Sequence, residues 1–310
     1  MNVVVKPASL QETGLSFNFF FDIFLLLLAT GALVPVYSHL LDFSAIRDDD
    51  YSDSNSIKLA ITALGYGICC VALLRNNQVT NRALAHLRCN PLLAVIALLP
   101  IVSVTWSVDP SVTLKRSIAH FLTISCCLYF CTYLSFRSFI DRLMLTFMLG
   151  GVLSYIYAIL LPSYGVTQFA NNSGSWQGIY GHKNDLGRIC SFAILISICY
   201  IPSDIRGFLV KYGNITLFFP LLALSQSRTN WIIVVSGIAI ISLIFFYRAR
   251  SISFTIRLGV IIASLLVSIY VIYFAVPFIL ESVGRDESGS GRDTLWNAVW
   301  IAHGELSPVL

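Results

Sequence analysis

Two aromatic rings, an imidazole and two cations crowd into one short stretch, Trp176-Gln-Gly-Ile-Tyr180-Gly-His182-Lys183-Asn184-Asp185-Leu-Gly187-Arg188, set between two long apolar runs. Lys183 and Arg188 can hold an anion such as a pyrophosphate, helped by the unpaired N–H groups of a helix that begins there. Asn184 and Asp185 suit helix caps, and Asn184 can also bond a sugar hydroxyl. Trp176 and Tyr180 can stack on sugar rings, and they equally suit an aromatic belt at a membrane surface. His182 titrates near neutral pH and can transfer a proton, although a lone loop histidine is more often not a catalyst. Two later clusters carry matching chemistry: Ser225-Gln-Ser227-Arg228-Thr-Asn230, and Gly291-Arg292-Asp-Thr-Leu-Trp296. A third, Trp106-Ser-Val-Asp109-Pro110, reads as a turn with an interfacial Trp and a Pro-assisted helix start; the alternative makes Arg116, just beyond it, another phosphate ligand.

The elements that must position these residues are membrane helices. Hydrophobic residues make up 56% of the chain and charged residues 12%, with a mean hydropathy of +0.78, against about 25% charged in a soluble domain. A net charge of +4, dispersed in short loops, is too small to imply a nucleic-acid partner, and none is expected. A transmembrane helix needs about 20 mostly apolar residues. By that measure the sequence predicts an all-α, polytopic membrane protein with about nine spans. They are placed at 17–39, 57–74, 91–105, 114–134, 143–161, 186–201, 208–225, 231–247 and 258–280, so that 1–280 forms one transmembrane domain. The first run is read as a retained span, because it lacks the basic flank and cleavage site of a signal peptide.

Lys and Arg in short loops favour the cytoplasm. Arg75, Arg82 and Arg88, then Arg137 and Arg142, then Arg206 and Lys211, then Arg248, Arg250 and Arg257 mark the even-numbered loops. This puts the N-terminus in the cytoplasm and the acidic first loop outside. Lys183, Arg188, Arg228, Arg285 and Arg292 then fall on the outer side, where orientation alone disfavours them. Cations on the disfavoured side point to an anionic partner, most simply the phosphate or pyrophosphate of a lipid carrier.

Arg228 has a geometric argument of its own. One helix from Ile215 to Tyr247 would be about 50 Å long, too long for a hydrocarbon core of about 30 Å. The chain must therefore turn within Ser225–Asn230. Either the seventh span starts near Phe208 with Lys211 snorkelling, or Arg228 lies below the outer surface; both leave the guanidinium near the head-group boundary.

Seven of the eight cysteines lie in apolar runs and read as small apolar fillers, while Cys89 sits in a basic loop. Cys127 and Cys131 have helical spacing, but no His or carboxylate joins them as a metal ligand, so neither a metal nor a cofactor is expected. Beyond 280 the chain is polar and Gly/Ser-rich. Residues 281–310 read as the start of a large outer loop with an amphipathic helix bearing Leu295, Trp296, Val299, Trp300 and Ala302.

These motifs together resemble the bacterial O-antigen ligase and polysaccharide polymerase superfamily, most closely its exopolysaccharide-polymerase branch. The resemblance covers 91–310 and rests on Trp106-Ser-Val-Asp-Pro110, Gly178-x-x-Gly-His-Lys-Asn-x-Leu-Gly187, Ser227-Arg228-Thr229 and Gly291-Arg292-x-x-Leu-Trp296. Each motif is weak alone; their order and spacing carry the likeness. The resemblance implies a metal-independent glycosyltransferase in the bacterial plasma membrane, acting at its outer face on undecaprenyl-diphosphate-linked oligosaccharides. Arg228, Arg292, Lys183, Arg188 and Arg116 would hold the diphosphate, and Arg228 and Arg292, with His182, would serve the reaction. Trp176, Tyr180, Asn184 and Trp296 would face sugars. A chain-length regulator and export machinery are the implied partners. The nearest relative is the ligase that transfers glycan to lipid A core. A transporter or flippase for anionic or lipid-linked glycans is the rival from another class; it predicts midplane charges, for which Asp22 is the main candidate, and repeated spans. In the family the outer loop continues to a His-Asn motif and further spans. His303 is not followed by Asn, and the comparison leads to the expectation of a truncated product.

Overall fold

The computed structural model describes residues 17–32, 56–75, 77–168 and 174–248, with isolated positions at 255, 258–259, 262–263 and 299–301. Among them the chain is helical, with two isolated bridges, Ala32 with Tyr180 and Val166 with Trp176, and no strand. It divides into two compact units, Met1–Asn230 and Trp231–Leu310. Arg285, Arg292, Asp293, Trp296 and His303 lie outside the described residues.

The helices are α1 (Phe17–Ala29), α2 (Ser56–Leu74), α3 (Asn77–Cys89), α4 (Pro91–Val102), α5 (Pro110–Tyr133), α6 (Phe136–Leu160), α7 (Lys183–Cys199), α8 (Ile205–Ser225) and α9 (Arg228–Arg248). Three of them, α6, α8 and α9, are long and apolar enough to cross a membrane, or up to four segments if the bent pair α3 and α4 counts as one span. The expected span at 258–280 falls mostly outside the described residues.

Local chemistry sets the boundaries. Asp109 caps α5 by accepting from the N–H groups of Ser111 and Val112, each at 3.1 Å, and Pro110 follows as its first residue. These bonds to the ionised form hold the Asp109 carboxyl below its usual range. Ser135 and Asp204 cap α6 and α8 in the same way. Arg137 and Arg142, expected in a loop, lie in the first two turns of α6, because the Ser135 cap starts that helix earlier than hydropathy alone predicts. Arg75, Arg82 and Arg88 likewise do not share a simple loop: α3 fills it and meets the following helix at 95°.

In the first unit α6 packs on α1 and α8, and α8 on α7. Helices α2, α4 and α3 pack on α5. Asp22 of α1, 1% exposed, forms an ion pair with Arg142 of α6 and accepts a hydrogen bond from Tyr129 of α5 at 3.1 Å. Among the ends of these helices, the polar clasp around Arg137 is the most connected. Arg137 donates to the Ile201 carbonyl at 2.6 Å and to Ser203 Oγ at 2.8 Å, and pairs with Asp141 at 3.3 Å. Tyr200 donates to the same carboxylate at 2.6 Å. Lys211 donates to the carbonyls of Ile198 and Tyr200 at the C-terminus of α7, at 3.3 and 2.7 Å. That end carries the negative pole of the helix dipole, which a cation offsets. With α8 starting at Ile205, its 21 residues give a length of about 30 Å.

Candidate functional site

At the opposite end of α7 and α8 the two described clusters of the sequence meet. The turn expected within Ser225–Asn230 is present: α8 ends at Ser225, Gln226 takes the left-handed conformation with φ 51°, and α9 begins at Arg228. This turn packs against the start of α7 through side-chain amides and hydroxyls. Ser227 donates to Asn184 Oδ1 at 3.1 Å; Asn230 Nδ2 donates to Ser227 Oγ at 2.7 Å and to the Asn184 carbonyl at 3.3 Å. Ser191 donates to the carbonyls of Gly187 and Asn230 at 3.0 and 3.1 Å. The turn and the first residues after it, Arg228–Asn230, are thereby held against the N-terminus of α7, whose backbone dipole presents its positive end there.

The loop leading into α7 is fixed from below. Trp176 N–H donates to the Leu224 carbonyl at 3.0 Å, and Ser175 to Gln226 Oε1 at 3.0 Å. The amides of Gln177 and Gly178 both donate to the Gly165 carbonyl at 2.9 Å. Gly178 has φ 58°, and a Cβ there would come within 2.5 Å of Ser154. Only glycine allows both the backbone conformation and the approach.

Around this frame the predicted residues separate. Arg228 is half-buried and makes no hydrogen bond or ion pair with any described residue. Arg188 is exposed and pairs with Asp185 of its own helix at 2.8 Å. Lys183 is 8% exposed, buried at the first position of α7. Asn184 is exposed beside Ser227 and Asn230. Arg116 is exposed on α5, a helix that packs mainly on α2, α4 and α3, away from the α7–α8 pair.

Two expectations change. Tyr180 is 1% exposed, with its hydroxyl under Gly150 of α6, where an added Cβ would meet it at 2.8 Å. Burial pushes its phenol above the usual range and removes it as a stacking platform for sugar. Trp176 stays half-buried with its ring edge-on to Tyr155 at 5.7 Å. His182 is the N-cap of α7, its Nδ1 accepting from the Asn184 N–H at 3.1 Å. Burial lowers its pKa, with Lys183 adding to the effect and Asp185 opposing it. With Nδ1 accepting the bond from Asn184, the ring acts as a helix cap and turns its Nε2–H outward as a donor.

Beside Arg188 a groove of about 440 Å³ runs between Thr30 just past α1, Leu143 and Phe147 of α6, and Phe192 and Ile196 of α7. Its walls are mostly apolar, and Arg188 is its cationic lining residue, near the N-terminal end of α7. Among the described residues no three His, Cys, Asp or Glu side chains gather where they could hold a metal ion.

Comparison of the chain with protein-family models, curated proteins and solved structures gives no match. Ser191, and the capping role of His182, escaped the sequence reading. Ser191 has a visible signal, its i+4 spacing from Gly187, whereas nothing in the sequence marks which imidazole nitrogen caps a helix.

Proposed function

We propose that the chain is a membrane-embedded glycosyltransferase of polysaccharide-polymerase type, which lengthens glycans carried on undecaprenyl diphosphate. The observation that carries this reading is Arg228: a half-buried arginine without a described partner, at the turn that packs against the N-terminus of α7. An anion is the ligand such a place favours, and a bidentate guanidinium suits a diphosphate. The apolar groove beside Arg188 adds room for part of a lipid tail next to the same surface. The basic clasp of Arg137 and Lys211 at the opposite helix ends fits a cytoplasmic face, which makes the Arg228 face the outer one in a multi-pass plasma-membrane protein of about nine spans.

In such a reaction the hydroxyl of an acceptor sugar attacks the anomeric carbon of the donor. The bond to undecaprenyl diphosphate breaks, and the lipid diphosphate leaves with the electron pair while the hydroxyl proton passes to a base. Charge builds on the leaving diphosphate, so a fixed guanidinium stabilises the transition state more than the ground state. Arg228 has this role, Arg188 and Lys183 assist, and Asn184 offers its amide to a sugar hydroxyl. Arg188 must exchange Asp185 for the ligand, which ranks it behind Arg228.

The test is polymerisation of lipid-linked repeat units in membranes containing the chain or an Arg228→Ala variant, with insertion checked. Loss of about 100-fold or more in rate is expected for a group acting on developing charge, with partial activity in Arg228→Lys. An Arg228→Ala variant that polymerises at the normal rate refutes the assignment. A glycan-ligase activity would appear instead as long chains remaining on the lipid carrier in its absence, whereas loss of a polymerase leaves single repeat units.

A further inference from the structure

Between Asp53 and Asp109 the sequence has no acidic residue, yet it carries Arg75, Arg82 and Arg88 within one short segment. Arg82 and Arg88 lie on α3, 13 residues long with the sequence NQVTNRALAHLRC, and Arg75 lies just before it, between α2 and α3. At about 20 Å this helix is too short to cross a membrane, and its amides and cations oppose burial. It joins the highly apolar helix beginning at Pro91 at an angle of 95°, so with that helix along the membrane normal α3 lies in the plane of the surface. One side holds it to the bundle: Ala83 is buried, Val79 packs on the core with Leu73, and Thr80 donates to the Leu73 carbonyl at 2.9 Å. Arg75 and Arg88 are exposed and Arg82 half-buried, and none of the three pairs with a described residue. Apolar side chains sit among them, Leu84 at 41% exposed and Leu92 at 74%.

The cations at the neighbouring helix ends are used differently. Arg137 is closed onto Asp141 and Lys211 onto the carbonyls of α7. The segment thus combines guanidinium groups without a described partner with the exposed Leu84 on a helix of in-plane orientation, and with Leu92 at the start of the helix that follows. That is the chemistry of an interfacial helix, which inserts its apolar side chains at the acyl boundary and gathers negative charge from the head groups. We propose that α3 is an anionic-phospholipid site, recruiting lipids with a phosphodiester and net negative head group, such as phosphatidylglycerol, around Arg75, Arg82 and Arg88. This assignment is independent of the glycosyltransferase reading.

The full chain reconstituted in phosphatidylcholine bilayers, with trace spin-labelled phosphatidylglycerol or phosphatidylcholine, measures it. The fraction of each lipid immobilised at the protein gives the selectivity. A preference for phosphatidylglycerol of about threefold or more is expected at low ionic strength, decreasing in high salt, since each basic residue near the surface attracts anionic lipid and is screened over a Debye length. The triple variant R75Q/R82Q/R88Q should lose more than half of that preference, while R75K/R82K/R88K, folded to the same helix content by circular dichroism, should keep it. Wild-type selectivity in the glutamine variant overturns the proposal. So does a wild-type chain without selectivity, which would leave the arginines as orientation signals or as contacts for an acidic protein.

Discussion

Ser227 Oγ donates to Asn184 Oδ1 across the gap between the α8–α9 turn and the start of α7, at 3.1 Å. The same hydroxyl accepts from Asn230 Nδ2 at 2.7 Å. One side chain therefore ties together the two segments that bear Lys183, Arg188 and Arg228. Replacing Ser227 with Ala should leave one N–H of the buried Asn230 amide without its acceptor, the other keeping the Asn184 carbonyl, and cost about 1–3 kcal/mol. Thermal unfolding in detergent should show the loss for Ser227→Ala and little for Ser227→Thr, which retains the hydroxyl. Equal melting of the alanine variant and the wild type would mean that the network contributes nothing.

Gly187 sits where this contact is tightest. A Cβ there would approach Ser227 Cβ to 2.8 Å and Asn230 Nδ2 to 2.6 Å. The amide tip of Asn230 can swing away, but Ser227 Cβ is fixed to its backbone. Gly187→Ala should push the α8–α9 turn off α7 and destabilise the chain by about 1–3 kcal/mol, as overpacking does. Under the proposed function it should also lower polymerisation without touching a charged group. A variant with wild-type stability would show that the turn is free to yield.

The buried pair of Asp22 and Arg142 makes a different kind of prediction. Asp22 is inside the bundle and bonded by Tyr129 as well as Arg142. Removing one partner leaves the other charge buried and uncompensated, at a cost of about 3–5 kcal/mol. Asp22→Asn and Arg142→Gln should each lower the melting temperature sharply, and the double variant should lose much less than the sum of the two. Additive losses would show that the two charges act independently. The pair joins the first described helix to α6, a topological pin that needs no transport role.

How much of this was legible in the sequence depends on the period of the signal. Apolar runs located the helices, and the length limit of a membrane span required the turn at Ser225–Asn230. The ends were misplaced wherever capping overrode hydropathy, as at Ser135, which draws Arg137 and Arg142 into α6. The basic stretch 75–88 read as a loop because its apolar residues are too few for a span, although their spacing suits an amphipathic helix. The pairing of Asn184 with Ser227 and Asn230 spans more than 40 residues, a distance at which no local pattern predicts contact. Tyr180 was misread for the same reason: its type suits a belt or a sugar face, and only the packing against Gly150 shows that it is core.

His182 supplies the last prediction, because its capping bond exists only in one protonation state. The neutral ring accepts from the Asn184 N–H at Nδ1, and burial depresses its pKa below the ordinary value of about 6.5. With the folded value below the unfolded one, the unfolded chain takes up the proton first as the pH drops. The contribution is complete above about 6.5, declines as the pH falls towards the folded value, and is gone below it. Melting temperatures measured from pH 7.5 down to 5.5 should therefore fall more steeply for the wild type than for His182→Asn, whose side-chain oxygen can cap the same helix without titrating. Groups common to both proteins cancel in that difference. Parallel pH profiles would show that His182 does not couple proton uptake to the start of α7, and with it the pH sensitivity of the Asn184–Ser227 contact would disappear.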